Sequence, residues 1–168
     1  MRWYNQQYTM KKLSYLFILS CIVIAAYACK KETDTDRALY DETIQSGYVY
    51  YQNAALLPGL GNSPHGSFKL RFNAIAAAAL DSTGELPVGS TFPDGSIIVK
   101  DVYSGSNITL YAVMKKDASN SDAGDGWLWA EFEPNGKTII STSKKGNSCI
   151  GCHSGNTNRD LTNTFDLH

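Results

Sequence analysis

Short runs rich in apolar side chains follow one another through the second half of the chain, and turn residues separate them. The runs cover residues 96–103, 108–114, 127–132 and 138–141. They are rich in Val, Ile and aromatic side chains, which is typical of β-strands. The short connections at 105–107 and 134–136 favour antiparallel pairing of neighbouring strands. The pattern predicts a mainly β (α+β) fold, with an antiparallel sheet and a few short helices.

Helical periodicity is found earlier in the chain. Four side chains recur at helical spacing before a region rich in Gly and Pro: Tyr40, Ile44, Tyr48 and Tyr51. Such a stripe is far more often core packing than a contact to a cofactor. A second short helix is predicted over 74–80, with Asn73 as its N-cap. His65 lies in the loop between the two helices, where a lone histidine is usually solvated, and it is kept only as a candidate distal group.

The first 28 residues have the pattern of an export signal. Lys11 and Lys12 precede an apolar run over 13–26, which is shorter than the roughly 20 residues of a membrane span. Cys29 follows small residues and resembles the lipid-modified first residue of a bacterial lipoprotein. We therefore expect a signal peptide over 1–28, a lipidated tether over 29–37 and one domain over 38–168. The protein is expected on the periplasmic side of a bacterial membrane, anchored through lipid only.

Two details of this signal stay open. Cys21 is a second candidate for lipid attachment, although it would leave an apolar core of only 13–20. Met10 is a second candidate start, because Met10-Lys11-Lys12 opens a signal of ordinary length. Either alternative keeps the prediction of export.

Charge narrows the range of partners. The whole chain carries 15 basic and 16 acidic side chains. Cleavage after residue 28 removes Arg2, Lys11 and Lys12 and no acidic residue, so acidic groups exceed basic ones by four in the mature chain. This balance argues against nucleic acid as a partner.

Residues 149–153, in a loop near the carboxyl end, spell Cys-X-X-Cys-His, the arrangement that attaches haem covalently. Cys149 and Cys152 can each add to a haem vinyl group, and His153 then reaches the iron, so one haem c is the expected cofactor. A zinc site would need two more soft ligands, and the mature chain offers only His65 and His168. A thioredoxin-like dithiol is expected near the start of a βαβ unit, whereas this motif follows several strands. The predicted export supports the haem interpretation, because c-type haem is attached after export.

Lys100 interrupts the apolar face of the predicted strand 96–103. Side chains alternate along a strand, so Lys100 points the same way as Ile98 and Val102. An unpaired charge there is costly. The ordinary explanations are an edge-strand lysine that opposes aggregation, or one whose amine reaches solvent at the strand end. The functional alternative is an amine kept neutral by burial, and hence nucleophilic, beside the haem.

The order of these elements resembles the family of cytochrome P460 and the cytochromes c′-beta, in which Cys-X-X-Cys-His follows an antiparallel sheet. The resemblance covers about 70–165 and rests on the segments 92–100, 113–117, 126–130, 149–153 and 160–165. Small helical cytochromes c instead carry the motif near the amino end, and the helical periodicity of cytochromes c′ is missing here. The run Phe-Pro-Asp-Gly-Ser-Ile-Ile-Val-Lys, which ends at Lys100, is the most specific of the shared segments.

The resemblance implies roles for individual residues. In the P460 branch a lysine at the place of Lys100 bonds covalently to the porphyrin edge, and those proteins oxidise hydroxylamine with nitric oxide as an intermediate. Carried over, His153 is the proximal iron ligand, Cys149 and Cys152 are the thioether attachments, and Lys100 is the crosslink. Arg71 falls near an arginine of the family and is added as a cofactor-binding residue.

One departure from the family bears on the reaction. The P460 branch has a distal carboxylate in the strand that corresponds to 108–114, and Tyr111 or Ala112 takes its place here. Because hydroxylamine oxidation releases protons, a nearby base should help, and Asp117 or Glu131 could approach from elsewhere. The c′-beta branch has an apolar distal pocket, binds gases and lacks the lysine link.

Three functions follow, in this order. The first is a haem oxidoreductase that acts on hydroxylamine or nitric oxide, and the second is a non-enzymatic protein that binds nitric oxide or another gas. The third is an electron-transfer cytochrome, which needs Met114, His65 or His168 as a sixth ligand. The expected partners are a small nitrogen-oxide substrate or gas and a redox partner protein. Whether the protein forms a homodimer is left open.

Overall fold

Six antiparallel strands form one sheet, in the order β1 to β6, in the computed structural model, which describes residues 33–60, 63–155 and 158–168. The strands are β1 (Val49–Tyr50), β2 (Ser67–Phe72), β3 (Ile97–Ser104), β4 (Asn107–Lys116), β5 (Trp127–Phe132) and β6 (Thr138–Ile140). The described residues also form the short helices α1 (Asp34–Thr43), α2 (Ala74–Ala78), α3 (Ile150–His153) and α4 (Thr164–Leu167), and 3₁₀ turns at Tyr51–Ala54 and Thr142–Lys144. The predicted mainly β, antiparallel fold is confirmed.

The predicted export segment cannot be compared with this fold. Cys29, the signal peptide over 1–28 and residues 30–32 of the predicted tether lie outside the described residues, whereas residues 34–37 of that tether are the first turn of α1. Within the described ranges, no helix is both long enough and apolar enough to cross a membrane. Export and lipid attachment therefore stay predictions.

The first helix is shorter than the tyrosine stripe predicted. α1 ends at Thr43, and Ile44 directly after it is 52% exposed. Three residues later, Gly47 adopts a φ of +91°, a left-handed conformation that favours glycine, and the chain enters β1 at Val49. Tyr48 and Tyr51 follow this break, so the stripe spans separate elements rather than one helix.

β2 is a strand that the sequence pattern did not predict. It pairs with β3 along its whole length, with Leu70 and Phe72 on one face and Arg71 on the other. The chain leaves β2 through Asn73, whose side chain accepts a hydrogen bond from the Ala76 N–H at 2.9 Å. The predicted N-cap of α2 is thereby confirmed.

Strand register places rows of side chains on the face of the sheet away from α1. One row of cross-strand partners contains Leu70, Lys100, Ala112, Glu131 and Ile140. The next row on that face contains Phe72, Ile98, Met114 and Trp129. The residues between these rows point to the opposite face, because side chains alternate along a strand. There Val99 and Val113 pack with Leu39 and Tyr40 of α1.

α1 is fixed to the segment that leads to the Cys-X-X-Cys-His motif. The buried carboxylate of Asp36 accepts hydrogen bonds from the N–H of Thr142 at 2.8 Å and from its hydroxyl at 2.7 Å. Burial alone would raise the pKa of Asp36, but hydrogen bonds, chiefly from Thr142 and Ser141, outweigh burial and hold it below its ordinary value.

Candidate haem site

A cavity of about 560 Å³ opens on the face of the sheet that carries Lys100. The polar side chains in its lining include His65, Lys100, Glu131, Cys149, Cys152 and His153. Apolar side chains around them include Leu70, Ile98, Ala112, Met114 and Trp129. The volume lies within the range of roughly 300–1,000 Å³ of pockets that hold small molecules and cofactors. The structure thus brings Lys100 together with the three motif residues.

His153 is held as a neutral imidazole. Its Nδ1 lies 2.8 Å from the carbonyl oxygen of Leu161, which can only accept, so Nδ1 carries the proton. The pKa of His153 is lowered to about 4, chiefly by burial and also by the nearby Lys100 and His65, against the opposing effect of the Leu161 hydrogen bond. A neutral ring with Nδ1 protonated leaves the lone pair of Nε2 free, which is the state that a metal-binding histidine needs.

Trp129 positions the loop that carries the motif. Its ring meets that of His153 edge to face, with 4.9 Å between the ring centroids. Trp129 also packs against Gly146, where a Cβ atom would lie only 2.5 Å from Cδ1 of Trp129. Gly146 also has a φ of +68°, so both space and backbone conformation favour glycine there. The loop can therefore pack directly on β5.

The two thiols of the motif lie one helical turn apart. Both are free, and the N–H of Cys152 donates to the carbonyl oxygen of Cys149 at 3.1 Å as α3 begins. Cys149 is half-buried against the apolar side of the cavity, and burial raises the pKa of its thiol. Cys152 is exposed. Thiols in this arrangement are available for addition to two vinyl groups on one edge of a haem.

Lys100 faces the cavity from the middle of the sheet. β3 lies between β2 and β4, so the explanation of Lys100 as an edge-strand residue is wrong. Its Nζ lies 4.5 Å from the ring centroid of Phe68, and within the described residues no carboxylate forms an ion pair with it. Burial among protein atoms lowers the pKa of Lys100 to about 8. A substantial neutral, nucleophilic fraction of the amine is therefore present near pH 8.

A carboxylate enters the cavity from β5. Glu131 is the cross-strand neighbour of Ala112, and its Oε1 lies 3.0 Å from Nε2 of His65. His65 is thus a half-buried residue with a partner rather than a solvated loop histidine. Tyr111 points to the opposite face, where its ring centroid lies 5.7 Å from the Arg71 guanidinium. Asp117 is not part of the described cavity lining.

Arg71 lies on the face of the sheet opposite the cavity. Its Nε donates to Asp101 Oδ1 at 2.9 Å, and its guanidinium packs over the ring of Tyr48. One Nη also donates to the carbonyl oxygen of Thr43 at 2.8 Å. Because adjacent residues of a strand face opposite sides, Leu70 reaches the cavity and Arg71 does not. We therefore leave Arg71 out of the site.

Comparison with protein families identifies the relatives of this domain. A family model described as Cytochrome P460 matches residues 62–164. The chain belongs to the cytochrome P460 family. No curated protein matches it. As a member of the cytochrome P460 family, it is a haem protein of that family, and in the family the haem is bound covalently.

The cavity fits the haem that the cytochrome P460 family implies. Two free thiols can hold the ring through its edge, and the free Nε2 of His153 can bind its iron. The apolar side chains of Ile98, Met114 and Trp129 in the lining suit the apolar macrocycle. Among the proposed sixth ligands, Met114 lies in the lining and His65 is paired with Glu131. His168 instead packs edge to face on Phe68, with 5.7 Å between ring centroids.

Three features of this cytochrome P460 site were not predicted from the sequence. Leu161 acts on His153 through a backbone carbonyl, for which no side-chain signal exists. The pairing of His65 with Glu131 joins residues far apart along the chain. The only signal for the Trp129 contact was the glycine at position 146, just before the motif.

Proposed function

We propose that the protein oxidises hydroxylamine, with nitric oxide as an intermediate, at a single haem c attached through Cys149 and Cys152. His153 is the proximal iron ligand in this proposal. The observation that carries it is that Lys100, Glu131 and His153 line one cavity. The membership of the cytochrome P460 family supports it as well.

Glu131 is the base of the proposed reaction. Each hydroxylamine that becomes nitric oxide loses three electrons and three protons. The haem, when bound, supplies the redox centre through which the electrons leave to a redox partner protein. Glu131 is a carboxylate inside the cavity and the cross-strand neighbour of Ala112, so it can supply the base that Ala112 cannot.

Lys100 is the proposed crosslink to the porphyrin. One C–N bond would replace an N–H bond and a C–H bond, which removes two protons and two electrons and needs an oxidant such as a peroxide. The amine is suited to this step because it is unpaired within the described residues and partly neutral near pH 8. Mass spectrometry of haem peptides, from protein matured in a host that attaches c-type haem, tests the link. One haem joined to the peptides of both Lys100 and Cys149 supports it.

Hydroxylamine turnover with an artificial electron acceptor tests the reaction itself. Glu131→Gln should lower kcat by roughly 10²- to 10⁴-fold, the usual contribution of a general base. Glu133→Gln is the matched control, because Glu133 pairs with Lys137 at 2.7 Å outside the cavity lining. Equal rates for the wild-type protein and Glu131→Gln would remove Glu131 from the mechanism.

The second candidate is a gas-binding protein of the c′-beta kind. The apolar lining around Ala112 and Met114 favours it, since such a pocket binds an uncharged gas without activating it. This function takes precedence if haem is found on the two cysteines alone and the wild-type protein does not turn over hydroxylamine. A five-coordinate ferrous spectrum that responds to nitric oxide would then be expected.

Export as a lipoprotein is the proposed location. It rests on the signal pattern before Cys29 and on the attachment of c-type haem after export. Labelled palmitate should be incorporated by the wild-type protein and not by Cys29→Ala. Incorporation that survives this substitution would reject lipidation at Cys29.

A further inference from the structure

His65 and Glu131 form a pair that joins the cavity to the protein surface. The atoms His65 Nε2 and Glu131 Oε1 are 3.0 Å apart, and both side chains line the cavity. The exposed fractions of the two side chains are 12% and 16%, so each is largely buried but reachable. Pro64 and Gly66, on either side of His65 in the chain, are exposed. The pair therefore lies between the cavity and an exposed segment of the loop.

The loop holds His65 in place through its backbone. The hydroxyl of Ser63 donates to the His65 carbonyl at 3.1 Å and accepts from the His65 N–H at 3.3 Å. Gly59 packs so closely against the His65 carbonyl that a Cβ atom at position 59 would overlap it. By contrast, a Cβ atom at Gly66 would meet nothing closer than the Tyr103 carbonyl at 4.0 Å. The position of the imidazole thus depends on Gly59 and not on Gly66.

We propose that His65 relays protons from Glu131 to solvent. Glu131 accepts a proton released in the cavity and passes it to Nε2 of His65, and the imidazole loses its other proton, at Nδ1, to water. Each cycle restores both residues after exchange of the two ring tautomers, so no electron or other reactant is needed. The inference rests on the proposed function, which it extends from the base to the route of proton exit.

The need for a relay follows from the number of protons. A single carboxylate would be protonated after the first of three proton losses and could not act again until it discharged. Glu131 is the one carboxylate in the described part of the cavity lining. The other titratable lining groups are Lys100, Cys149, Cys152 and the haem ligand His153, and no hydrogen bond joins them to Glu131 within the described residues. His65 is the group placed to accept the proton.

Cyanide binding to the ferric haem protein tests the relay without turnover. Hydrogen cyanide must lose one proton to bind as the anion. Glu131 takes this single proton, and the relay then delivers it to the bulk solution, where a pH-indicator dye in weak buffer reports it. His65→Gln keeps a hydrogen-bond donor near Glu131 but cannot pass a proton on. It should bind cyanide at the wild-type rate, with an unchanged resting absorption spectrum, but release of the proton to the dye should lag behind association about tenfold or more. Adding phosphate should speed this proton release in His65→Gln and leave the wild-type release unchanged.

A pair of glycine variants provides an independent test. Gly59→Ala should displace His65 and reproduce both the delayed proton release and its response to phosphate. Gly66→Ala, in the same loop, should behave like the wild-type protein. Proton release at the wild-type rate in both His65→Gln and Gly59→Ala would overturn the relay.

The two proposals fail in different ways. If the wild-type protein does not oxidise hydroxylamine but His65→Gln still delays proton release on cyanide binding, the proposed function fails and the relay stands. If the wild-type protein turns over hydroxylamine and His65→Gln matches it in both assays, the relay fails and the proposed function stands.

Discussion

The carbonyl oxygen of Leu161 lies 2.8 Å from Nδ1 of His153, so a residue beyond the motif orients its imidazole. Leu161 and the preceding Asp160 have φ values of +67° and +49°. The side chain of Asp160 accepts hydrogen bonds from Lys116 Nζ at 2.7 Å and from the Phe92 N–H at 2.8 Å. The segment after the motif is thereby fixed to the sheet and fixes the proposed iron ligand in turn.

Removing the Asp160 carboxylate should loosen both the fold and the haem ligand. Asp160→Ala leaves the largely buried Lys116 without its partner and should lower the free energy of unfolding by about 3–5 kcal/mol. Asp166→Ala, in the same segment, removes a more exposed ion pair to Arg159 and should cost less than about 1 kcal/mol. Urea unfolding measures both losses. A change in the ferric spectrum confined to Asp160→Ala would report on His153, and equal stability of the two variants would contradict this account.

An added methyl group at Gly146 should impair haem attachment. Gly146→Ala would place its Cβ against Trp129 in a backbone conformation that disfavours alanine, at a cost of about 1–3 kcal/mol. Gly151→Ala is the control inside the motif, because a Cβ atom there meets nothing within 4 Å. The fraction of protein that carries covalent haem, measured by intact mass, should fall for Gly146→Ala alone. A normal haem content in that variant would mean that the loop can shift away from Trp129.

The stability contributed by Asp36 should depend on pH. Its folded pKa lies below the ordinary value of 3.8, so its contribution is complete above about pH 4 and is lost as the pH falls through the folded pKa. Asp36→Asn should lower the free energy of unfolding by about 1–3 kcal/mol near neutral pH, and by less at about pH 2. Asp34→Asn, at an exposed position of α1, should cost less than about 1 kcal/mol. A loss for Asp36→Asn that is the same at both pH values would contradict this assignment.

Formation of the Lys100 crosslink should also depend on pH. Burial lowers the pKa of Lys100 to about 8, and only the neutral amine is a nucleophile. The crosslinking rate should rise about tenfold per pH unit below 8 and level off above it. Haem peptides from protein treated with a peroxide across this range can be followed by mass spectrometry. Lys115, whose amine pairs with Glu42 at 2.8 Å, should stay unmodified, and a pH-independent yield would argue against amine attack.

Local patterns predicted the sheet well. Alternation and short turns act between neighbours in sequence, so β3 to β6 were found near their observed positions. The alternation of side chains along β3 also placed Lys100 correctly, on the same face as Ile98. The first helix was overestimated because it ends at Thr43, inside an apparently continuous stripe, and β2 was missed because the loop signals just before it masked its alternation.

Apart from Lys100, only the part of the site that lies in one continuous segment could be predicted from the sequence. The residues at 149–153 are consecutive, so their chemistry can be read directly. The approach of His65 to Glu131 depends instead on the register between β4 and β5 and on the path of a distant loop. The position of Arg71 depends on the pairing of β2. The alternation of side chains along that strand would have placed Arg71 on the face away from the cavity, had the strand been known.

The positions of Lys100 in β3 and Cys149 beyond β6 have a consequence for chain entropy. A porphyrin bonded at both would close a loop of about 50 residues, and the corresponding loss of freedom in the unfolded chain is worth about 4 kcal/mol. β4, β5 and β6 all lie within this loop. The cooperativity of unfolding and the resistance to proteolysis would then increase when the porphyrin forms its bond to Lys100. The same reaction that completes the prosthetic group would therefore also stabilise the fold of the domain.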